Sequence, residues 1–550
     1  MPHALPMPSP GLQAIILCGP GSSFPTFTAN PDQNPKALIP IANRPMVWYP
    51  IDFCYRMGVT SVTLIAPPSS APAIAAALNT NPHLTSVAPP KAPKPDLLVP
   101  QDLDQNTGTA EIFRLLEVRA VVRGDFVVLP CDLVCELGGE TLLAAWMGKE
   151  AVFGAATDSQ TANGTRRGGL GVWYETKGET KIKGEETDFI ATSPLQPGPL
   201  PPSRSSLMSH VSKLVYSVPT DTLDDITEAK KSLPVRHALI RTHPRLRMLS
   251  SHRDAHIYVF PAWVVDMINS NEQMDSIGED VIGWWAKSEW QDGLAEKLGL
   301  QEVFGSPQKV DGDDNLLDNA PQHDIDSGSL STTWTSSLQK SLLDETESAK
   351  SKLVVPPILA YIHPKANEGA QSPLIRRVDT APLLLAISLQ IAKLEAIDTV
   401  GRDASSPFAH QSKVAYPEGI AQRTTVTKPD SLLAENVTVE EKCSIKECVI
   451  GANCQIKQGA KLTRCLLMDG VVVGRGCKLT GCILGRRSDI GEDSVLLDCE
   501  VQENLLVEPG TEDKNNKIMS SEGMEATEQE IQDFADDSAM DDGEGIPLEV

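Results

Sequence analysis

Residues 12–18, Leu-Gln-Ala-Ile-Ile-Leu-Cys, form a continuous apolar run that ends on Gly19, Pro20 and Gly21. Such a run reads as a buried parallel strand, and the glycines let the backbone turn sharply at its end. A Gly-x-Gly turn is by itself a weak sign of phosphate binding, and Pro20 has no N–H to offer an anion. Asp132 follows a second buried run, 126–130, and so shares the carboxyl ends of the strands, where open α/β sheets place their ligand crevice. The cysteines suggest less chemistry. Cys131 and Cys135 lack a second pair or a supporting histidine, which argues against zinc. Cys448, Cys465, Cys482 and Cys499 recur every seventeen residues and read as small apolar fillers rather than a metal or disulfide ladder.

The elements that must position these residues alternate. Helices are expected over 47–58 and 109–123, and strands over 61–66 and 126–130, with later strands at 151–157 and 256–260. A Trp-containing helix over 280–298 closes the domain, and 193–206 reads as a Pro/Ser-rich surface excursion. Alternation of this kind predicts a doubly wound, Rossmann-like α/β domain over 12–300. Residues 301–430 read as a linker with disordered stretches and one helix over 379–397, and 520–550 as an acidic disordered tail.

The stretch 431–515 has its own period. Apolar residues recur at steps of six, six and five, which sum to seventeen: Val439, Ile456, Val473, Ile490 and Val507 form one column, and Ile445, Leu462, Leu479 and Leu496 a second. Ile450, Leu467, Leu484 and Val501 form the third. Gly459, Gly476, Asp493 and Gly510 keep the same register, as a corner of unusual φ requires. No α-helix yields such a period; a triangular coil with one inward residue per face does. The hexapeptide pattern resembles the left-handed β-helix family, from which the handedness is taken. Members that transfer acyl groups use a histidine base within the coils, and here the last histidine is His410.

Composition limits the partners. A formal charge of -25 argues against nucleic acid or an anionic membrane. Part of that charge is local: 522–550 holds eleven Asp and Glu and no Lys or Arg. The Pro-rich start lacks a signal-peptide pattern, the longest apolar stretch, 381–392, is too short to cross a bilayer, and eleven cysteines fit reduced thiols in the cytosol.

The run Cys18-Gly19-Pro20-Gly21-Ser22-Ser23-Phe24-Pro25, continued by Asn34-Pro35-Lys36 and Asn43-Arg44-Pro45-Met46, resembles the signature of sugar-phosphate nucleotidyltransferases. Asn106-Thr107-Gly108-Thr109-Ala110 is similar to that family's base-recognition turn, and Pro130-Cys131-Asp132 to its metal-binding aspartate. The resemblance implies a nucleotide pocket lined by Gly19, Gly21, Lys36 and Gly108, with magnesium at Asp132. Two departures weaken it: Ser23 stands where the family has arginine, and Pro20 interrupts the donor turn. Losing one comparable transition-state donor costs ~10²–10³ in rate. No second metal carboxylate is evident. The pocket is therefore expected to be vestigial, with no catalytic residue and no cofactor, Lys36 reading as a surface lysine and Asp132 as a turn or helix cap.

Together the altered domain, the linker and the β-helix resemble the gamma-subunit family of eukaryotic translation initiation factor 2B, over 12–298 and 431–519. The most specific stretches are Asn43-Arg44-Pro45-Met46-Val47-Trp48-Tyr49-Pro50, Pro130-Cys131-Asp132-Leu133 and Ser444-Ile445-Lys446-Glu447-Cys448-Val449-Ile450-Gly451. The related epsilon subunits add a large helical exchange domain, where this chain has its acidic stretch. The resemblance implies a non-catalytic cytosolic subunit that works with epsilon, alongside alpha, beta and delta, on initiation factor 2 as the substrate GTPase. It implies no membrane and no direct nucleic-acid contact. The alternative is an active transferase making a nucleotide-sugar such as GDP-mannose, which needs the missing loop arginine.

Overall fold

A computed structural model describes residues 10–20, 22–89, 92–104, 106–156, 166–176, 185–195, 206–233, 235–305, 353–364, 372–402 and 404–520. Gly21, most of the 193–206 excursion and the acidic stretch from 521 lie outside the described residues.

Nine strands build the central sheet: β1 (Gln13–Leu17), β2 (Ser61–Ile65), β3 (Asp96–Leu98), β4 (Phe126–Pro130), β5 (Gly169–Glu175), β6 (Asp188–Ser193), β7 (Val211–Pro219), β8 (Arg247–Phe260) and β9 (Ile358–Ile362). Their order is β3-β2-β1-β4-β8-β5-β9-β7-β6. The first half is parallel, β1 lying between β2 and β4. Its inner residues Ala14, Ile16, Leu64, Val127 and Leu129 are fully buried, as strands covered on both faces require. From β4 onward the sheet is mixed, with β8 antiparallel to β4 and β5.

Two expectations change here. The stretch read as a strand at 151–157 belongs to the helix Gly139–Ala156, and β5 takes the place expected for it. The apolar run Ala151-Val152-Phe153 is too short for periodicity to separate helix from strand. The span read as linker contributes β9 to the middle of the sheet and a short strand, Ile375–Arg377, antiparallel to Leu133–Cys135. Every residue of β9 is buried, yet its partner β5 lies far back in sequence, and no local pattern announces that pairing.

The last domain is a triangular parallel β-helix. Three stacked sheets carry the strands in strict seventeen-residue register, for example Ile445↔Leu462↔Leu479↔Leu496. All three inward columns are buried. Each coil turns its corners through left-handed backbone: Gly459 at φ 79°, Gly476 at 70°, Asp493 at 57° and Gly510 at 74° occupy one corner. The β-helix begins before 431. Val414, Ile420 and Val426 pair with Leu433, Val439 and Ile445, nineteen residues on rather than seventeen. Two extra residues at the corner before Ser431 break the period and hide this first coil from a repeat search.

One face of the prism is not free. Its outward column, Leu432, Val449, Leu466 and Ile483, is buried within the same apolar core as the α/β domain. The helix Ala381–Lys393 lies in that seam, and apolar residues on nearly all its sides match its burial there. A hairpin at 40–45 completes the joint. Asn43, at φ 64°, donates from its side chain to Ile450 O (3.0 Å), and Arg486 donates to Leu38 O (3.0 Å). Arg44 spans the carbonyls of Phe408 (2.9 Å) and Ala409 (2.8 Å) while stacking on Trp48 at 4.4 Å. Asn43-Arg44 thus acts as a clamp between domains.

Candidate functional site

The crevice opens where β1 and β4 end. Gly19 and Pro20 form one wall, Cys131 and Asp132 the floor, and Thr107 and Thr109 the opposite rim. Among the predicted site residues, Gly19, Lys36 and Asp132 come together here. Lys36 is no surface residue: its Nζ lies 2.7 Å from Asp132 Oδ2, and its side chain is 12% exposed. Asp132 is 2% exposed and caps no helix.

The residue that sequence reasoning missed is Arg377. It reaches Asp132 Oδ1 through Nε at 3.5 Å, and Asp379 through Nη2 at 3.5 Å. Arg253 on β8 meets Asp379 at 2.5 Å, and Arg377 Nη1 donates to His256 Nε2 at 3.3 Å. A largely buried chain of alternating charge, Lys36–Asp132–Arg377–Asp379–Arg253, therefore starts at the pocket floor and runs away from it. Burial would push the Asp132 carboxyl up, but Lys36 and then Arg377 outweigh it and hold the group well below the usual carboxylate range. Burial likewise works against Lys36 and Arg377, and their carboxylate neighbours overcome it, so both stay charged. Burial, reinforced by Arg377, keeps His256 neutral, which suits its role as acceptor.

This donor set does not fit a divalent ion. Magnesium wants several oxygen ligands in near-octahedral array. Asp132 brings two cations to the position instead, and among the described residues no group of three potential ligands converges. Arg377 and Lys36 together neutralise the carboxylate that a metal would need.

The turn at 106–110, expected to recognise a base, is pinned by its neighbours. Gly108 N donates to the Glu111 carboxylate (3.2 Å) and Ala110 N to Asp275 O (2.9 Å), while Ile277 N donates to the Thr109 hydroxyl (3.0 Å). A Cβ on Gly108 would lie 2.2 Å from Asp275 O, whereas one on Gly19 meets nothing within 4 Å. Gly108→Ala is expected to destabilise the fold by about 1–3 kcal/mol, and Gly19→Ala to leave the denaturation midpoint unchanged. Equal effects of the two in urea titrations would contradict this close packing of Gly108 against Asp275.

Beside the crevice, Asp188 and Asp254 share a second hollow with Arg253 and Glu279. Asp254 accepts from His256 N (2.9 Å) and from the Tyr258 hydroxyl. Burial, then the neighbouring Asp188, push Asp254 up to about 7. A folded carboxyl that binds its proton more tightly than the unfolded one loses stability as pH rises, here between about 4 and 7. Asp254→Asn is expected to flatten that decline, gaining stability above pH 7 on the order of a few kcal/mol. An unchanged slope of unfolding free energy across that window would exclude the assignment.

Comparisons with known proteins agree with this architecture. A sequence-family profile described as "EIF2B subunit epsilon LbH domain" matches residues 415–513, the stacked coils. The C-terminal domain is accordingly a left-handed β-helix, joined to a nucleotidyltransferase-like α/β domain. The chain is also similar to "Translation initiation factor eIF2B subunit gamma" of Schizosaccharomyces pombe, 26% identical over 311 residues, or 56% of this chain. The match spans 57% of that relative's length. By these likenesses the chain is gamma-like. Among the described residues no helix is long and apolar enough to cross a membrane.

Proposed function

We propose that this chain is a non-catalytic subunit of the guanine-nucleotide exchange factor for translation initiation factor 2. It works in the cytosol beside an epsilon-type subunit, in a larger assembly with alpha, beta and delta subunits, and promotes release of GDP from factor 2. The gamma-named relative and the epsilon-type β-helix profile support the assembly. One observation supports the lack of catalysis: Asp132, where a nucleotidyltransferase needs a free carboxylate for its metal, is held between Lys36 and Arg377. Gly19, Gly21, Lys36 and Gly108 are then remnants of a nucleotide pocket whose charged members now serve the fold. Ser23, exposed and short, adds no cation to replace the missing loop arginine.

The joint between domains gives the subunit its mechanical role. A stiff prism fixed to a rigid α/β body can hold a catalytic partner in one orientation. Co-expression with the epsilon subunit tests the proposal. The two should co-purify, and the pair should release labelled GDP from factor 2 faster than epsilon alone. Failure to co-purify, or equal rates with and without this chain, would overturn it.

A further inference from the structure

Charge is unevenly shared among the coils of the β-helix. Residues 455–488, two successive coils, hold seven Lys and Arg against one acid, Asp469, in a chain whose formal charge is -25. The next coil, 489–505, holds six Asp and Glu and no Lys or Arg. Of the three faces, one is buried against the α/β domain, and the second presents Thr438, Gln455, Val472, Asp489 and Leu506. The cations gather on the third. There Lys461 lies directly opposite Lys478 in parallel register, Lys446 stands one coil below, and Arg464 and Arg475 edge the face. All five are exposed.

Like charges directly opposite each other on neighbouring strands, ~4.8 Å apart, repel. Among the described residues no carboxylate lies within ion-pair distance of Lys461 or Lys478, and Arg464 reaches Glu447 only at 4.0 Å. A flat face with a cationic ladder fits an extended anionic peptide. The chain itself carries one: 522–550 has eleven Asp and Glu, no Lys or Arg, and begins just after the last strand, Lys517–Ile518. The ladder lies two to three coils back, ~10–15 Å along the axis, and 29 residues can span up to ~95 Å. A tether that short sets an effective concentration in the millimolar range. Lys514 and Lys517 lie nearer, in the last coil, but beside Glu512 and Asp513; the acidic coil between repels the segment and leaves Lys461 and Lys478 as the nearest cations directly opposite each other.

We propose that this third face of the β-helix is a dock for acidic peptide, and that its occupant is the chain's own segment 522–550, bound in cis. Salt or a competing acidic partner should displace the segment from the face. This docking holds whether or not the chain belongs to an exchange factor.

Zero-length carbodiimide coupling, which joins an amine to a carboxylate, tests it on the full chain. Lys461 and Lys478 should couple to carboxylates within 522–550. Their acetylation rates should rise roughly threefold or more at 1 M salt, where the Debye length shrinks to ~3 Å. The same rise should follow at low salt when Asp533, Asp536, Asp537, Asp541 and Asp542 are changed to Asn, or when the chain stops after Ser520. Unchanged acetylation in both variants would overturn the proposal. So would coupling found only between chains in a mixture of isotope-labelled and unlabelled protein, which would make the occupant a second copy. Protection of the ladder by added RNA with the acidic segment intact would assign the face to nucleic acid instead.

Discussion

Asp132→Ala should lower the unfolding free energy by about 3–5 kcal/mol. The substitution leaves Lys36 and Arg377 facing each other across a floor where Asp132 is 2% exposed. The sign separates the two readings of this carboxylate. A metal-binding aspartate in a working site faces an unneutralised field, and removing it costs little stability or gains some. Added magnesium would stabilise the wild type in that case, and is expected here to do nothing. The wild type should also lose this contribution in acid. Asp132 ionises below its ordinary value of 3.8, so its stabilisation is complete above about pH 4 and disappears as pH falls toward the folded value. Denaturant titrations of both proteins between pH 2 and pH 6 should show a steeper acid decline in the wild type. Parallel curves would contradict the structural role.

The second large effect lies in the seam. Leu466 is wholly buried between the β-helix and the α/β domain. Leu466→Asp places an unpaired carboxylate there, and an uncompensated buried charge costs on the order of several kcal/mol. The domains should part, exposing the hairpin at 40–45 and the helix Ala381–Lys393 to protease. Thr480→Asp is the matched control, since Thr480 points outward from the unburied third face. It should change stability by no more than about 0.5 kcal/mol. Equal protease resistance in Leu466→Asp and wild type would show that the joint is not held by this face.

Local patterns revealed what depended on local physics. The seventeen-residue period gave the coils, their inward columns and the left-handed corner at Gly459, Gly476, Asp493 and Gly510, because each coil repeats the same short-range constraints. The strands β1, β2 and β4 were readable for the same reason: continuous burial leaves a continuous apolar run. Whatever depended on distant partners was not. Arg377 lies 245 positions after Asp132, within a stretch that reads as linker, and nothing nearby marks it as the partner of a buried carboxylate. Lys36 reads as a surface lysine because its burial depends on Asp132, 96 positions away. The buried face of the prism did leave a trace. The doublets Leu432-Leu433, Val449-Ile450, Leu466-Leu467 and Ile483-Leu484 put one apolar residue inward and one outward, and the outward column turns to Glu500 where the seam becomes polar and the Thr26 hydroxyl donates to its carboxylate (2.9 Å). A prism in water would show polar residues there from the start.

On the proposed function, the α/β domain keeps the shape of a nucleotidyltransferase while Lys36, Asp132 and Arg377 hold the fold rather than a substrate. Pyrophosphate release from the purified full chain tests this most directly, using each nucleoside triphosphate with a panel of sugar phosphates and magnesium. Release is expected to be no faster than from enzyme-free controls. Steady turnover that depends on Asp132 and magnesium would contradict it.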